Sequence, residues 1–135
     1  MSRVLEMLQS HPRGLAGVDQ AKLAECIDAC FECAQACTAC ADACLAEEMV
    51  VHLVQCIRTD LDCADVCAAT GSVLSRQAGS DVSITEALVE ACRVACQTCG
   101  AECQRHASMH EHCRVCADAC HRCQAACADL LSDLG

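Results

Sequence analysis

Eighteen cysteines in a chain of 135 residues, more than one position in eight, put soft, deprotonatable sulfur at the centre of the chemistry this sequence can perform. Cys26, Cys30, Cys33, Cys37, Cys40 and Cys44 follow one another at intervals of 4, 3, 4, 3 and 4 residues. That alternation keeps one edge of a helix facing one way, and at about 100° per residue the six fall in a stripe about 80° wide. Cys56, Cys63 and Cys67 lie within about 40°, Cys92, Cys96, Cys99 and Cys103 within about 60°, and Cys113, Cys116, Cys120, Cys123 and Cys127 within about 80°. Every cysteine belongs to one of these four stripes. A strand would scatter them over both faces.

Four helices are needed to carry the stripes. The breakers Gly and Pro fall mainly in HPRGLAG (His11 to Gly17) and around AGSD (Ala78 to Asp81), leaving alanine-rich stretches between them. No breaker separates Cys44 from Cys56, but one continuous helix would swing the cysteine edge by about 120° there, so a tight turn is expected near Ala46 to Glu48. Ser83 with Glu86 and Ser108 with Glu111 fit capping boxes ahead of the third and fourth stripes. The expected long helices are therefore about Asp19 to Ala46, Glu48 to Gln77, Ile84 to Ala107 and Met109 to Asp133, with a short N-terminal helix around Val4, Leu5 and Leu8. Short connections make consecutive helices antiparallel. The fold class is all-α: a single domain over residues 1–135, an up-down-up-down four-helix bundle with cysteine edges turned to a shared axis. Along the first long helix the lining from Cys26 to Cys44 runs about 27 Å at about 1.5 Å per residue.

Several chemistries compete for such an interior. Free cysteine is a small hydrophobe often found buried, but a core built for packing alone favours Leu, Ile and Val. Disulfides between helical neighbours are strained, since Cβ atoms at i, i+3 or i, i+4 stand about 5–6 Å apart where a bridge needs about 3.5–4.5 Å. An ion shared by two sulfurs suits the spacing better: with metal–sulfur bonds near about 2.3 Å, the sulfurs stand up to about 4.6 Å apart. Zinc prefers closed sets of four ligands, and these stripes do not separate into quartets. None of CFEC, CTAC, CQTC, CRVC and CHRC is followed by histidine, which excludes the haem-attachment pattern, and no C-x-C occurs. Thiolates select monovalent copper, which two sulfurs can satisfy, so the runs point to many Cu(I) ions held in series. Matching charges would ease the burial of thiolates, and each ligand would release a proton on binding.

Other ligand types gather at one end. The turn near Glu47 and the turn near Ser108 share one end of the expected bundle. Met49 and His52 continue the stripe of Cys56, Met109 continues that of Cys113, His106 and His112 lie just beyond stripe edges, and His110 is in the same turn. Together they form an expected mouth at which Cu(I) exchanges between thioether, imidazole and thiolate. Asp60, about 40° from the centre of its stripe, is a further candidate ligand. His121 points away from its stripe and His11 sits in the breaker segment, so both are expected at the surface.

The balance of 9 basic and 19 acidic residues, net charge −10, disfavours nucleic acid as a partner. No stretch approaches the roughly 20 apolar residues of a membrane span, and MSRVLEMLQSHPRG lacks the apolar run of an export signal. The expected compartment is the cytosol, where thiols stay reduced and a cysteine pattern means metal or redox chemistry.

The motifs CIDACFECAQACTACADAC, CIRTDLDCADVC, CRVACQTCGAEC and CRVCADACHRCQAAC resemble the copper storage protein family over nearly the whole chain. The resemblance implies a cysteine-rich four-helix bundle that holds many Cu(I) ions and does not act as an enzyme. Lacking an export segment, the chain is similar to the cytosolic branch of that family. It also implies a homo-tetramer; a copper chaperone is a candidate partner. The alternatives are a thiol-based redox or sensing protein and a zinc or iron–sulfur binding module.

Overall fold

The computed structural model describes residues 2–13 and 17–134. The order of elements is α1 (Val4–Gln9), α2 (Gln20–Leu45), a 3-10 turn (Val50–Leu53), α3 (Val54–Leu74), α4 (Val82–His106) and α5 (Glu111–Leu134), with no strand among the described residues. Each long helix packs on two others, α2 on α3 and α5, and α4 on α3 and α5, while α1 lies against α2. This is the expected four-helix bundle with a short N-terminal helix. Part of the breaker segment, residues 14–16, lies outside the described residues.

Local chemistry sets the helix ends. Asp19 caps α2, its Oδ1 accepting from the amides of Ala21 at 2.8 Å and Lys22 at 3.2 Å. The second long helix, α3, starts later than expected, at Val54 and not Glu48, because residues 50–53 wind as a 3-10 turn. Neither serine of the expected capping boxes caps. Asp81 holds the α4 position, its Oδ1 accepting from the Ile84 amide at 3.2 Å, so Ser83 is already helical. At the α4–α5 turn the His106 carbonyl accepts from the amides of Met109 and His110, and α5 starts only at Glu111. The α3–α4 connection turns at Gly79, whose φ of 71° lies in the left-handed region that a Cβ disfavours.

Small residues let the helices close around the axis. At Gly71 on α3 an added Cβ would stand 2.8 Å from the Phe31 ring of α2, and at Gly100 on α4 it would stand 3.0 Å from the His121 ring of α5. The two rings thereby brace the α2–α3 and α4–α5 contacts from outside. Outward-facing charges add a lattice between α5 and α2: Arg122 pairs with Glu25 at 2.8 Å, Asp28 at 3.0 Å and Glu32, and Lys22 reaches Asp133 at 3.0 Å. His11 is half-buried, contrary to its expected surface position, since α1 folds back on α2 beside it.

A candidate metal centre along the bundle axis

All 18 cysteines are buried, none more than 1% exposed, and none is in a disulfide. The 4-3-4 alternation explains this, because a helix edge with a 3.6-residue period stays pointed at the axis for its whole length. Asp60 occupies one step of that alternation on α3, between Cys56 and Cys63, and is 0% exposed.

The sulfurs meet across helices as well as along them. Cys26 faces Cys127 at 3.9 Å, Cys30 faces Cys92 at 3.9 Å, Cys33 faces Cys120 at 3.7 Å, Cys67 faces Cys96 at 3.5 Å and Cys56 faces Cys103 at 3.7 Å. These separations are far too long for a sulfur–sulfur bond of about 2.05 Å and within the about 4.6 Å that one bridging ion spans. Quartets do form, with all four Sγ atoms within 4.8 Å of one another: Cys30–Cys92–Cys123–Cys127, Cys33–Cys63–Cys67–Cys96, Cys33–Cys37–Cys63–Cys120, Cys37–Cys99–Cys116–Cys120 and Cys40–Cys44–Cys56–Cys113. The expectation that the stripes would not divide into quartets is thus corrected in one respect. The quartets exist, but neighbours share members, Cys33 and Cys63 in one case and Cys37 and Cys120 in the next. Of these five, only Cys33–Cys37–Cys63–Cys120 overlaps its neighbours; the other four share no member, so closed four-ligand sites could be filled together but would leave Cys26 and Cys103 unused. A ladder of bridging ions can use every sulfur.

Asp60 sits among thiols without a cation. Its Oδ1 accepts from Cys99 at 3.1 Å, Cys103 at 3.3 Å and Cys116 at 3.3 Å. Burial, then the sulfurs of Cys116 and Cys99, push its carboxyl up to about 12, so it is neutral at pH 7 in the metal-free chamber. Burial likewise pushes up the thiols of Cys44 and Cys113.

The two turns meet at one end, and the expected ligands there separate into an inner and an outer group. His112 Nδ1 lies 3.4 Å from Cys40 Sγ and 3.6 Å from Cys113 Sγ, at the edge of the last quartet. Its Nε2 faces Glu47 at 2.8 Å, and the same Glu47 oxygen lies 3.0 Å from His110 Nδ1, with the two imidazoles stacked 5.5 Å apart. Burial alone lowers the His112 pKa, but its bonds to Cys40 and Glu47 raise it overall, and His112 in turn holds the Glu47 carboxyl low. His106 is directed to Glu102 through Nε2 at 3.0 Å, while its Nδ1 is buried without a hydrogen-bond partner. Met49, His52 and Met109 are exposed, and the structure does not bring them to the sulfurs. They do not continue the stripes: all three precede the first residue of α3 or α5, where helical phase has not begun. His121 is exposed, as expected. Sequence reasoning missed Glu47, which carries no helical phase and reads as an ordinary turn carboxylate; its position opposite two histidines of the other turn is the signal that only the fold supplies.

Residues 19–132 match the family model described as Csp, copper storage protein. The chain belongs to the copper storage protein family. Among solved structures of this family, the chain is similar to the copper storage protein Ccsp of Streptomyces lividans loaded with 10 copper equivalents, at 57% identity and a TM-score of 0.95, over 96% of this chain and 98% of that one. A structure of a cytosolic copper storage protein from the same organism with five coppers matches at 60% identity and a TM-score of 0.84, over 85% and 96% of the two chains. The Cu(I)-bound copper storage protein BsCsp3 matches at 38% identity and a TM-score of 0.70, over 78% and 94%. Among curated proteins none matches the chain.

Proposed function

We propose that this copper storage protein holds multiple Cu(I) ions along its axis on the thiolates of all 18 cysteines, as a store and buffer and not as a catalyst. The observation that carries this reading is the unbroken run of buried sulfur contacts, 3.7–3.9 Å apart, from Cys26–Cys127 through Cys30–Cys92, Cys33–Cys120 and Cys37–Cys116 to Cys40–Cys113, which offers bridging positions along the whole axis. The ion is the cargo. Each thiol gives up its proton as Cu(I) arrives, and the ion's charge replaces the proton's, so the dry chamber stays near neutral and avoids the several kcal/mol that each unpaired buried charge costs. Copper-bound relatives of the same fold support the choice of ion.

Asp60 supplies an oxygen between the last two groups of sulfurs, and His112 supplies Nδ1 at the mouth. We assign His106 and His110 to the transfer of ions into the chamber, with Met49, His52 and Met109 as the outermost, weakly holding donors. Thioethers and imidazoles bind Cu(I) less tightly than thiolates, so the ion moves inward down a gradient of affinity. The exposed Leu45, Met49, Val51 and Val54, in and around the α2–α3 turn, give this end apolar side chains on which a copper chaperone would seat. The compartment is the cytosol, as for the Streptomyces relative described as cytosolic; no described helix is long and apolar enough to cross a membrane. The chain acts as a single domain and assembles as the homo-tetramer that the family resemblance implies.

Anaerobic titration with Cu(I) against a chromophoric chelator tests the assignment. The expected result is uptake of many ions per chain with helical circular dichroism unchanged. A chain that binds only one or two ions, or that forms reversible disulfides instead, overturns it. The redox alternative is already disfavoured by burial, because sulfurs at 0–1% exposure offer no surface for attack by a partner thiol.

A further inference from the structure

We infer that Glu47 is a positioning residue for copper loading: it fixes the ring of His112 so that Nδ1 faces the Cys40–Cys44–Cys56–Cys113 sulfurs, and it latches the two turns of the mouth together. The inference rests on the storage reading of that quartet. Imidazole has two nitrogens, and the one that faces an acceptor keeps its hydrogen. Glu47 Oε2 stands 2.8 Å from His112 Nε2, so the hydrogen belongs there and Nδ1 is left to the sulfur side, 3.4 Å from Cys40 and 3.6 Å from Cys113. A carboxylate behind a metal-binding histidine orients the ring and raises its basicity, and loss of such a partner commonly costs about 10–100-fold.

The same oxygen lies 3.0 Å from His110 Nδ1. His110 is thereby held face to face with His112, the ring planes 19° apart and the centroids separated by 5.5 Å. Its own Nε2 is then the nitrogen available to an arriving ion. Glu47 lies in the α2–α3 turn and both histidines border the α4–α5 turn, so one carboxylate joins two connections far apart in sequence. Its side chain is one-third exposed, and Glu47→Ala should leave the fold intact.

The test compares wild type, Glu47→Ala, Glu47→Gln, His112→Ala and the Glu47→Ala/His112→Ala pair. In the reduced, copper-free protein at alkaline pH, nitrogen NMR of wild type should show His112 protonated at Nε2 and bare at Nδ1, with the Nε2 hydrogen slow to exchange; Glu47→Ala should lose that protection. Uptake of the first Cu(I) equivalents from a chelator should slow about tenfold in Glu47→Ala, recover largely in Glu47→Gln, and leave total capacity unchanged. With His112 already alanine, removing Glu47 should add much less slowing than it does in wild type, only what the release of His110 costs, since the carboxylate acts chiefly through the His112 ring. Wild-type NMR behaviour and loading in Glu47→Ala would overturn the inference, as would equal slowing by Glu47→Ala with and without His112, which marks direct attraction of the cation. A chain that takes up no copper in any of these forms refutes the storage reading instead.

Discussion

The two ends of the bundle close the same sulfur chamber in opposite ways. At the end where α2 passes to α3 and α4 to α5, the last quartet meets imidazole and carboxylate: His112, His110 and Glu47 lie between the sulfurs and water. At the other end, beyond Cys26 and Cys127, Leu23, Leu74, Val89 and Leu130 fill the axis, each no more than 3% exposed. The first closure can exchange ligands with a soft ion and the second cannot. The difference gives the chamber a direction, although the sulfur lining itself is nearly uniform along its length.

The sharpest way to break that asymmetry is to remove the plug. Leu130→Ala deletes a fully buried side chain and should cost the metal-free protein about 2–5 kcal/mol in chemical denaturation under reducing conditions. It should also open a second route. In loaded Leu130→Ala, extraction of copper by a chelator should become insensitive to substitutions at the mouth, whereas in wild type the mouth should set the rate. Extraction from Leu130→Ala that still follows the mouth would mean that the far end remains shut without Leu130.

Next in size is the carboxyl buried between the two ends. Asp60 is raised to about 12 in the folded chamber, so the fold binds a proton there that the unfolded chain releases above about pH 4. A raised folded value contributes stability that is present below the unfolded pKa and lost as pH rises. The penalty grows by at most about 1.4 kcal/mol per pH unit. Metal-free Asp60→Asn should therefore gain stability relative to wild type as pH is raised from 5 to 6.5, by up to about 2 kcal/mol over that span. Comparing the two proteins at each pH cancels the titration of the many thiols. A difference in melting temperature that stays flat with pH would show that Asp60 is ionised in the empty chamber.

These regions differ in how far they were legible beforehand. The four sulfur edges could be read because 18 identical residues obey the helical period, and the period survives wherever the helix does. Asp60 could be placed by the same phase. Met49 and His52 could not, because the phase was extended through residues 50–53, which wind as a 3-10 turn. The capping boxes failed for a related reason: a serine and a glutamate at the right interval do not exclude a stronger cap, and Asp81 stood two residues ahead of Ser83. The apolar plug and Glu47 were invisible as parts of a site. A leucine at a helix end and a glutamate in a turn acquire their roles from partners on other helices, which no local pattern encodes.

Within the mouth, the inner and outer donors should separate by kinetics. Replacing His110 and His112 by alanine should slow the capture of Cu(I) by about tenfold, equivalent to about 1.4 kcal/mol of barrier, without reducing the final number of ions by more than one or two. Replacing the exposed Met49, His52 and Met109 should slow it by less than about threefold, since none of them touches a sulfur and a solvated donor shortens only the first encounter. Stopped-flow loading from a chelated Cu(I) source distinguishes the two sets. Equal slowing by both would place the rate-limiting step at the rim and not at His112.

The smallest effect is expected on the outer wall between the two ends, where α5 is tied to α2. Arg122 bridges α5 to Glu25, Asp28 and Glu32 of α2, but the side chain is 31% exposed, and surface ion pairs of this kind contribute about 0–1 kcal/mol. Arg122→Ala should cost less than about 1 kcal/mol at low ionic strength and nearly nothing in molar salt, where the screening length falls to about 3 Å. It should leave copper uptake untouched, because the directionality resides in what fills the axis at each end. A loading rate that falls in Arg122→Ala, with stability little changed, would show that the α2–α5 wall takes part in admitting copper and that the contrast between mouth and plug is incomplete.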